Sequence, residues 1–356
     1  MTRAEILERI ARRETIAGQD LSGLDLSGAK LSGGRFEHVN FAGADFSGAD
    51  ISKTGFADCD FTGARFCETR FEKLNWMNMR MPEADLRGAQ LFMTLMKGSN
   101  AARANFSDTR IHMCTLEKMN LSGALFHNAR VEQNALQAAD LAGADFSGAV
   151  MIRLAFSESD MRSLGLAGAR LRKVLFRGCD FSGYNFAGLN MEIVQFDGAK
   201  LAGADFSGCK LPMCNFSNAS MKGANLSSAS MESALFAGAD LHGADLRDIR
   251  CRMSVFSEAD LSEAECANAD MELCLFQKAR CLRTRFSGAN LKYADFSYAN
   301  VSEGNFEGAS LYMAQLHKLL DDKTNFGKAK QTLLMQPDET KAAAETFIPT
   351  SKSREK

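Results

Sequence analysis

The 356-residue sequence predicts an all-β solenoid, and two periodicities predict it. Every fifth residue from Ile16 to Leu316 is apolar, with no insertion or deletion. Of these 61 centre positions, 60 carry Leu, Phe, Met, Ile, Val, Cys or Trp, and the exception is Ala101. A globular domain interrupts its hydrophobic period at each loop, so an unbroken period marks one unit copied along an axis. The second periodicity lies two residues before each centre. Of the 59 such positions from Leu24 to Ala314, 30 are Ala and 16 more are Gly, Ser, Thr or Cys. Each pentad thus sends one large and one small side chain inward and three outward. Neither a helical period of 3.6 nor a strand period of 2 accommodates this pattern, whereas a chain that turns a corner every five residues does.

The first element is a cap. A stack of strands leaves an open backbone edge that invites aggregation, so its ends need covers. Thr2-Arg3-Ala4-Glu5 fits a capping box, and Ile6, Leu7 and Ile10 form one apolar face. Residues 1–15 are therefore read as an N-terminal helical cap.

The body follows over residues 16–316. Its pentads read as Ala44-Asp45-Phe46 or Ala204-Asp205-Phe206, followed by polar residues or Gly as in Ser47-Gly48. This pattern resembles the pentapeptide-repeat family across that whole stretch. The resemblance implies a right-handed, four-sided parallel β-helix with one pentad per side and so four pentads per coil. A period of four pentads is also visible in the sequence itself. Phe156, Phe176, Phe196, Phe216, Phe236, Phe256, Phe276 and Phe296 follow one another at that interval. The neighbouring column runs Met151, Leu171, Met191, Leu211, Met231, Cys251, Met271, Leu291, and the column opposite the first is again rich in Phe, from Phe46 to Phe306. Facing aromatic columns alternating with aliphatic ones fill a narrow core with little void. About fifteen coils at the strand spacing of ~4.8 Å give a rod on the order of 70 Å long.

Two stretches depart from the inward pattern. Leu154, Leu164, Val174, Tyr184, Leu189 and Val194 replace the small residue, so the core there is expected to be swollen but filled. Ala101 leaves a centre short of volume, and a weak spot is expected there. Beyond the repeat, Leu316, Leu319, Leu320, Phe326, Leu333 and Leu334 lie in a polar, helix-favouring segment. Residues 317–336 are expected to be a C-terminal helical cap or a dimerisation segment, the latter because the resemblance implies pairing through C-terminal segments. Residues 337–356 are expected to be a disordered tail.

Little in the chain points to chemistry. Net charge is −2, too small to argue for a nucleic-acid or acidic ligand. No run of 18 apolar residues and no signal peptide are visible, so a cytoplasmic, membrane-free location is expected. Of ten cysteines, Cys59, Cys114, Cys179, Cys209, Cys214 and Cys274 take the small position, Cys251, Cys266 and Cys281 take centres, and Cys67 points outward. They read as small buried groups in a reducing compartment. His38, His112, His127, His242 and His317 fall on outward positions or beyond the repeat, without metal-ligand spacing. No catalytic, metal or cofactor-binding residues are expected, and the protein is not read as an enzyme.

The outward positions carry the functional information. Just before the centres, two columns are acidic or Asn-rich (Asp140, Asp160 and Asp180 in one, Asp145, Asn185 and Asp205 in the next) and a third is basic, including Arg110, Arg130, Arg170 and Lys210. The fourth carries Leu95, Leu175, Leu235, Val255 and Leu275, and the corner leading into it carries Met93, Met113, Ile193, Met213, Met253, Leu273, Tyr293 and Met313. An apolar stripe of that extent usually marks an interface, and Met suits an adaptable one. The reading is a protein–protein interaction scaffold with an unidentified protein partner, or a homodimer through this stripe or the C-terminal segment, and no direct binding of nucleic acid. The family resemblance implies one alternative, a DNA-mimicking inhibitor or protector of type II topoisomerase. Another is an accessory protein of a bacterial secretion system of type VI kind, suggested by Glu5-Ile6-Leu7-Glu8-Arg9-Ile10 and the repeats that follow it.

Overall fold

Each pentad closes on itself before it meets its neighbours. In most pentads the carbonyl of a centre residue accepts the N–H three residues on, as at Ala44 to Phe41 (2.9 Å) and Ala204 to Leu201 (3.0 Å). The third residue of this β-turn has positive φ, +68° at Gly43 and +65° at Gly203. A turn of that kind favours Gly there, which accounts for the recurrent Ser-Gly and Ala-Gly pairs. The Asp or Asn before each centre has its own task. Asp45 accepts the N–H of Ser47 at 2.8 Å and Asn120 that of Ser122 at 3.0 Å. An Asx side chain thereby satisfies a turn amide that the backbone leaves free.

A computed structural model describes residues 1–331, and these stack as a parallel β-solenoid. Every bridge pairs a residue with the one 20 positions on, from Thr15↔Arg35 to Ser310↔Lys330. Between residues 15 and 330 that interval gives just under sixteen coils, about one more than the sequence suggests. The large centres point inward and stack: successive rings from Phe156 to Phe296 lie 4.5–5.5 Å apart. Facing columns meet edge-on, as at Phe206 and Phe216 (5.6 Å, 85°), so the Phe lattice combines both favourable ring geometries.

The small inward position is more than a gap-filler. Thr54, Thr69, Ser99, Ser254 and Thr284 each donate their hydroxyl to the carbonyl 23 residues earlier, at 2.7–3.0 Å. Cys209 and Cys274 do the same with their thiols, at 2.9 and 3.0 Å. Where they occur, these side chains tie their coil to the centre residue of the previous one. All ten cysteines are free thiols; nine are buried and Cys67 is intermediate. Burial pushes the Cys114, Cys179 and Cys209 thiols up to about 11.

On two faces the turns open into strands: on one, Thr15–Ala17, Arg35–Glu37 and Gly55–Ala57 pair together, as do Ala155–Ser157 and Leu175–Arg177, and the other carries a longer run. Seven three-residue strands, from Arg70–Glu72 through Gln90–Phe92, Arg110–His112, Arg130–Glu132, Val150–Ile152 and Arg170–Arg172 to Asn190–Glu192, form one continuous parallel sheet. In these coils the small position after the strand holds Leu74, Thr94, Cys114, Asn134, Leu154, Val174 or Val194, never Ala. Groups larger than Ala accompany the open corner, where the chain stays extended past the centre, although Cys214, Ser254 and Cys274 at the same position close into turns. The swollen stretch belongs to this region. Leu154, Leu164, Val174, Leu189 and Val194 are all at most 6% exposed, so that part of the core is filled. Tyr184 is only half-buried, and its hydroxyl donates to the Leu164 carbonyl at 2.6 Å. Among the described residues, no bridge joins Asp140 to Asp160 or Gly165 to Asn185. A cleft of about 660 Å³ opens beside that gap, between residues 165–170 and 184–190. Ala101 is fully buried in the column of Met81 and Leu121.

The N-terminal end is covered by a helix, Arg3–Ala11. Its capping box is complete, with Glu5 N–H donating to Thr2 and Thr2 N–H to Glu5, and Ile6 is fully buried against the first coil. The helix expected from residue 317 onward is not formed by residues 317–331. They continue the solenoid, with Asn300↔Leu320, Asn305↔Asn325 and Ser310↔Lys330 bridges and Phe326 stacked on Phe306 at 5.1 Å. The apolar period stops at Asp321, but the pentad Asn325-Phe326-Gly327-Lys328-Ala329 resumes it in register, and Asn325 accepts the Gly327 N–H at 2.9 Å. Pairing with the preceding coil thus outweighs one polar centre. His317, which the sequence places beyond the repeat, is buried in this coil. Residues 332–336 of that segment and the tail expected over 337–356 lie outside the described residues.

Candidate interaction surface

A fold whose every coil is closed by its own turns offers surface, with side chains placed by column and coil. The apolar positions fall in two outward columns flanking one corner. Met93, Met113, Met213, Met253, Leu273 and Tyr293 are exposed in the corner column, and Leu175, Leu235 and Leu275 in the column beside it. Leu95, Ile193, Val255 and Met313 are half-buried. Met213 and Met253 are more than half exposed, 51% and 53%. Leu235, Val255 and Leu275 are bridged on successive coils, so they form one ladder at strand spacing. Beside it Met253, Leu273, Tyr293 and Met313 occupy four successive corners, and the Tyr293 and Tyr312 rings meet at 5.6 Å.

The apolar row is not continuous along the rod. Gln133, Arg153 and Lys173 interrupt the corner, leaving an N-terminal group at Met93, Leu95 and Met113 and a longer C-terminal one. The corner residues also share a backbone feature that sequence periodicity does not reveal. All eight have positive φ, from 51° at Met93 to 62° at Leu273, and Ile193 adopts +56° despite its branched Cβ. L-residues other than Gly, Asn and Asp are disfavoured there by roughly 1–2 kcal/mol. Apolar side chains are thus held in water at positions that also strain the backbone.

The charged columns are less available than their composition suggests. Asp140, Asp160 and Asp180 each accept the N–H two residues on, at 3.0–3.1 Å. Asp160 is also held by the Arg162 guanidinium, which draws its carboxyl down to about 2. Arg87 and Arg247 clamp Asp85 and Asp245 in the same way, at 2.7 and 2.6 Å, and Arg80 reaches Asp60 at 3.2 Å. Among the described residues no group of three His, Cys, Asp or Glu is arranged to hold a metal ion. No helix among them is long and apolar enough to cross a membrane.

These features define a repeat protein built to present long ordered faces. The pentapeptide repeat region profile matches residues 29–106, and the pentapeptide repeats (8 copies) profile matches most of 135–319 in overlapping segments. The chain belongs to the pentapeptide-repeat family. No curated protein matches the sequence. Among solved structures, a trypsin-treated variant of QnrB1, a plasmid-mediated fluoroquinolone resistance protein, is 17% identical, with 53% of this chain and 93% of that one covered and a TM-score of 0.37. HetL, a pentapeptide repeat protein involved in heterocyst differentiation regulation from the cyanobacterium Nostoc sp. strain PCC 7120, is 22% identical over 75% of this chain and 91% of that one, with a TM-score of 0.23. Likenesses at this level fix no activity for the present chain.

Proposed function

We propose that this protein is a non-enzymatic, cytoplasmic scaffold that binds a protein partner through the apolar corner. The observation that carries the reading is the set of apolar side chains on Met213, Leu235, Met253, Leu273, Leu275 and Tyr293, all exposed at positions the solenoid core does not need. Each gains about 25 cal/mol for every Å² removed from water, so a partner or a second copy has a reason to settle there. The ladder of Leu235, Val255 and Leu275 gives a flat anchor, and the Met-lined corner adapts to what it meets.

The test replaces Leu235, Val255 and Leu275 together by Ser. The variant should keep the fold and lose co-purification of its partner from the native host, or lose self-association by light scattering if the partner is a second copy. Equal behaviour of variant and wild type in both assays removes the support for this reading. The same proteins should be tried for inhibition of gyrase supercoiling at low ionic strength. No inhibition is expected, because so many surface carboxylates are engaged by turn amides and arginines. Potent inhibition that disappears when Asp140, Asp160 and Asp180 become Asn would favour the topoisomerase reading instead. An accessory role in a secretion system is one form of the scaffold reading, and identification of the captured partner decides it.

A further inference from the structure

The outer face of the seven-stranded sheet carries a second surface, which adjoins the apolar corner where Pro212 meets Met213. On a three-residue strand both end residues point outward and the centre points in. The sheet therefore presents two rows with a groove between them that runs along the rod. The first row holds Arg70, Arg110, Arg130 and Arg170 and continues to Lys210 through the Asn190↔Lys210 bridge. Two of these charges are answered across the groove, Arg70 by Glu72 at 2.9 Å and Arg130 by Glu132 at 2.5 Å. Arg110, Arg170 and Lys210 are exposed and have no ion-pair partner among the described residues. Where Arg170 and Lys210 stand, the groove widens to a cavity of about 410 Å³. Val150, Ile152 and Pro212 lie half-buried around the two cations, and Arg172 and Glu192, which also line it, pair with each other at 3.3 Å.

We propose that this groove binds an extended acidic peptide segment whose carboxylates meet Arg110, Arg170 and Lys210 and whose apolar side chains lie over Val150, Ile152 and Pro212. Charge complementarity selects the acid, because three exposed cations share one wall and none is neutralised. The apolar side chains in the lining select a peptide over a nucleic acid. The carboxylates on the opposite row, Glu132 and Glu192, are engaged by Arg130 and Arg172. Arg170 and Lys210 are two coils apart, about 10 Å at strand spacing, and carboxylates on one edge of an extended chain recur every ~6.6 Å, so the two long cationic side chains can each reach one. The groove lies on a different face from Leu235, Val255 and Leu275, so substitutions in that ladder leave its lining intact.

The probe is a labelled, capped decapeptide of alternating Glu and Leu, followed by fluorescence anisotropy at low salt. Saturable binding is expected, weakening as salt screens the exposed charges. Arg170→Glu with Lys210→Glu should weaken it by about tenfold or more, and Ile152→Ser by several-fold. Leu235→Ser with Val255→Ser and Leu275→Ser should leave it unchanged. Arg170→Gln with Lys210→Gln serves if charge reversal disturbs folding, and circular dichroism checks every variant. Absence of saturable binding by wild type, indifference to the groove variants, or equal binding of a labelled decathymidylate overturns the proposal.

Discussion

At the scale of single residues, the core depends on two kinds of contact repeated coil after coil. One is the aromatic stack. Phe216 is fully buried, with Phe196 and Phe236 each 5.1 Å away and Phe206 edge-on at 5.6 Å. Phe216→Ala removes all three contacts in a rod that cannot collapse around the void, and should cost about 3–5 kcal/mol. Ala101→Leu makes the opposite change in a column whose neighbours are Met81 and Leu121, and should raise the melting temperature. A lower value for Ala101→Leu in thermal melts would mean that its neighbours already fill the site. The other contact is the bond from the small inward side chain to a centre carbonyl, as from Thr54 to Leu31 and from Ser254 to Met231. Sequence spacing identifies these positions as small, yet gives no hint that their hydroxyls and thiols are donors, because the acceptor sits on the preceding coil. The Asx residues also have a consequence for pH. The Arg247 guanidinium beside Asp245 and the Ser182 N–H on Asp180 hold both carboxyls below their usual range, and Asp160 lies at about 2. Their stabilisation is present above the unfolded carboxylate range near 4 and is lost as pH falls through the lower folded values. The melting temperature should stay level from about pH 8 to 5 and drop below about pH 4. Asp180→Asn should remove part of that drop at little cost near neutrality, since Asn185 and Asn120 show that an amide oxygen accepts the same turn N–H.

At the scale of elements, the turn is the unit that the pentad encodes, and its third residue exposes a conflict between stability and surface. Gly is the comfortable residue at positive φ, yet the corner column carries Met, Leu, Ile and Tyr from Ile193 to Met313 with Ser233 as the single polar interruption. Ile193→Gly relieves the most strained of them and gives back part of that gain as unfolded-chain entropy. The expected net effect is stabilisation of about 1 kcal/mol, with weaker partner capture by the corner. Denaturant melts check the first half, and a destabilised variant would mean that Ile193 packs usefully where it stands. The helical cap at the N-terminus was legible because a capping box is a local signal, complete in Thr2-Arg3-Ala4-Glu5. The C-terminal coil was not, because Asp321 interrupts the centre period and Leu316, Leu319, Leu320 and Phe326 also satisfy helical spacing. What decided between the two readings is pairing with the coil beneath, a contact such as Asn305↔Asn325 that no local spacing announces. The opening of turns into strands left a faint trace, the absence of Ala after each strand centre from Leu74 to Val194.

At the scale of the whole molecule, the fold was legible because its information is redundant: the same five-residue rule is written some sixty times, and a solenoid needs no long-range specification beyond it. The candidate surface was legible in its composition but not in its accessibility. Register named all thirteen apolar positions, and the structure leaves Leu95, Ile193, Val255 and Met313 only half-open. Register also counted the charges of the outer columns without revealing which are already paired. That distinction separates the engaged carboxylates of Asp60, Asp160 and Asp245 from the free cations of the groove.

The constant sequence offset between bridged residues has a mechanical meaning. Backbone bonds between coils run along the rod, so tension applied at its two ends loads the coil interfaces in series, and the chain should peel one coil at a time. Each released coil lengthens the tether by about 65 Å, roughly 20 residues at ~3.5 Å less the ~4.8 Å it occupied when stacked. The first rupture should fall at one of the coil interfaces that lack a bridge among the described residues, at Gly55 and Asn75, Asp140 and Asp160, or Gly165 and Asn185. Pulling in an optical trap would resolve these steps, and a single release of the full length would mean that the coils share the load.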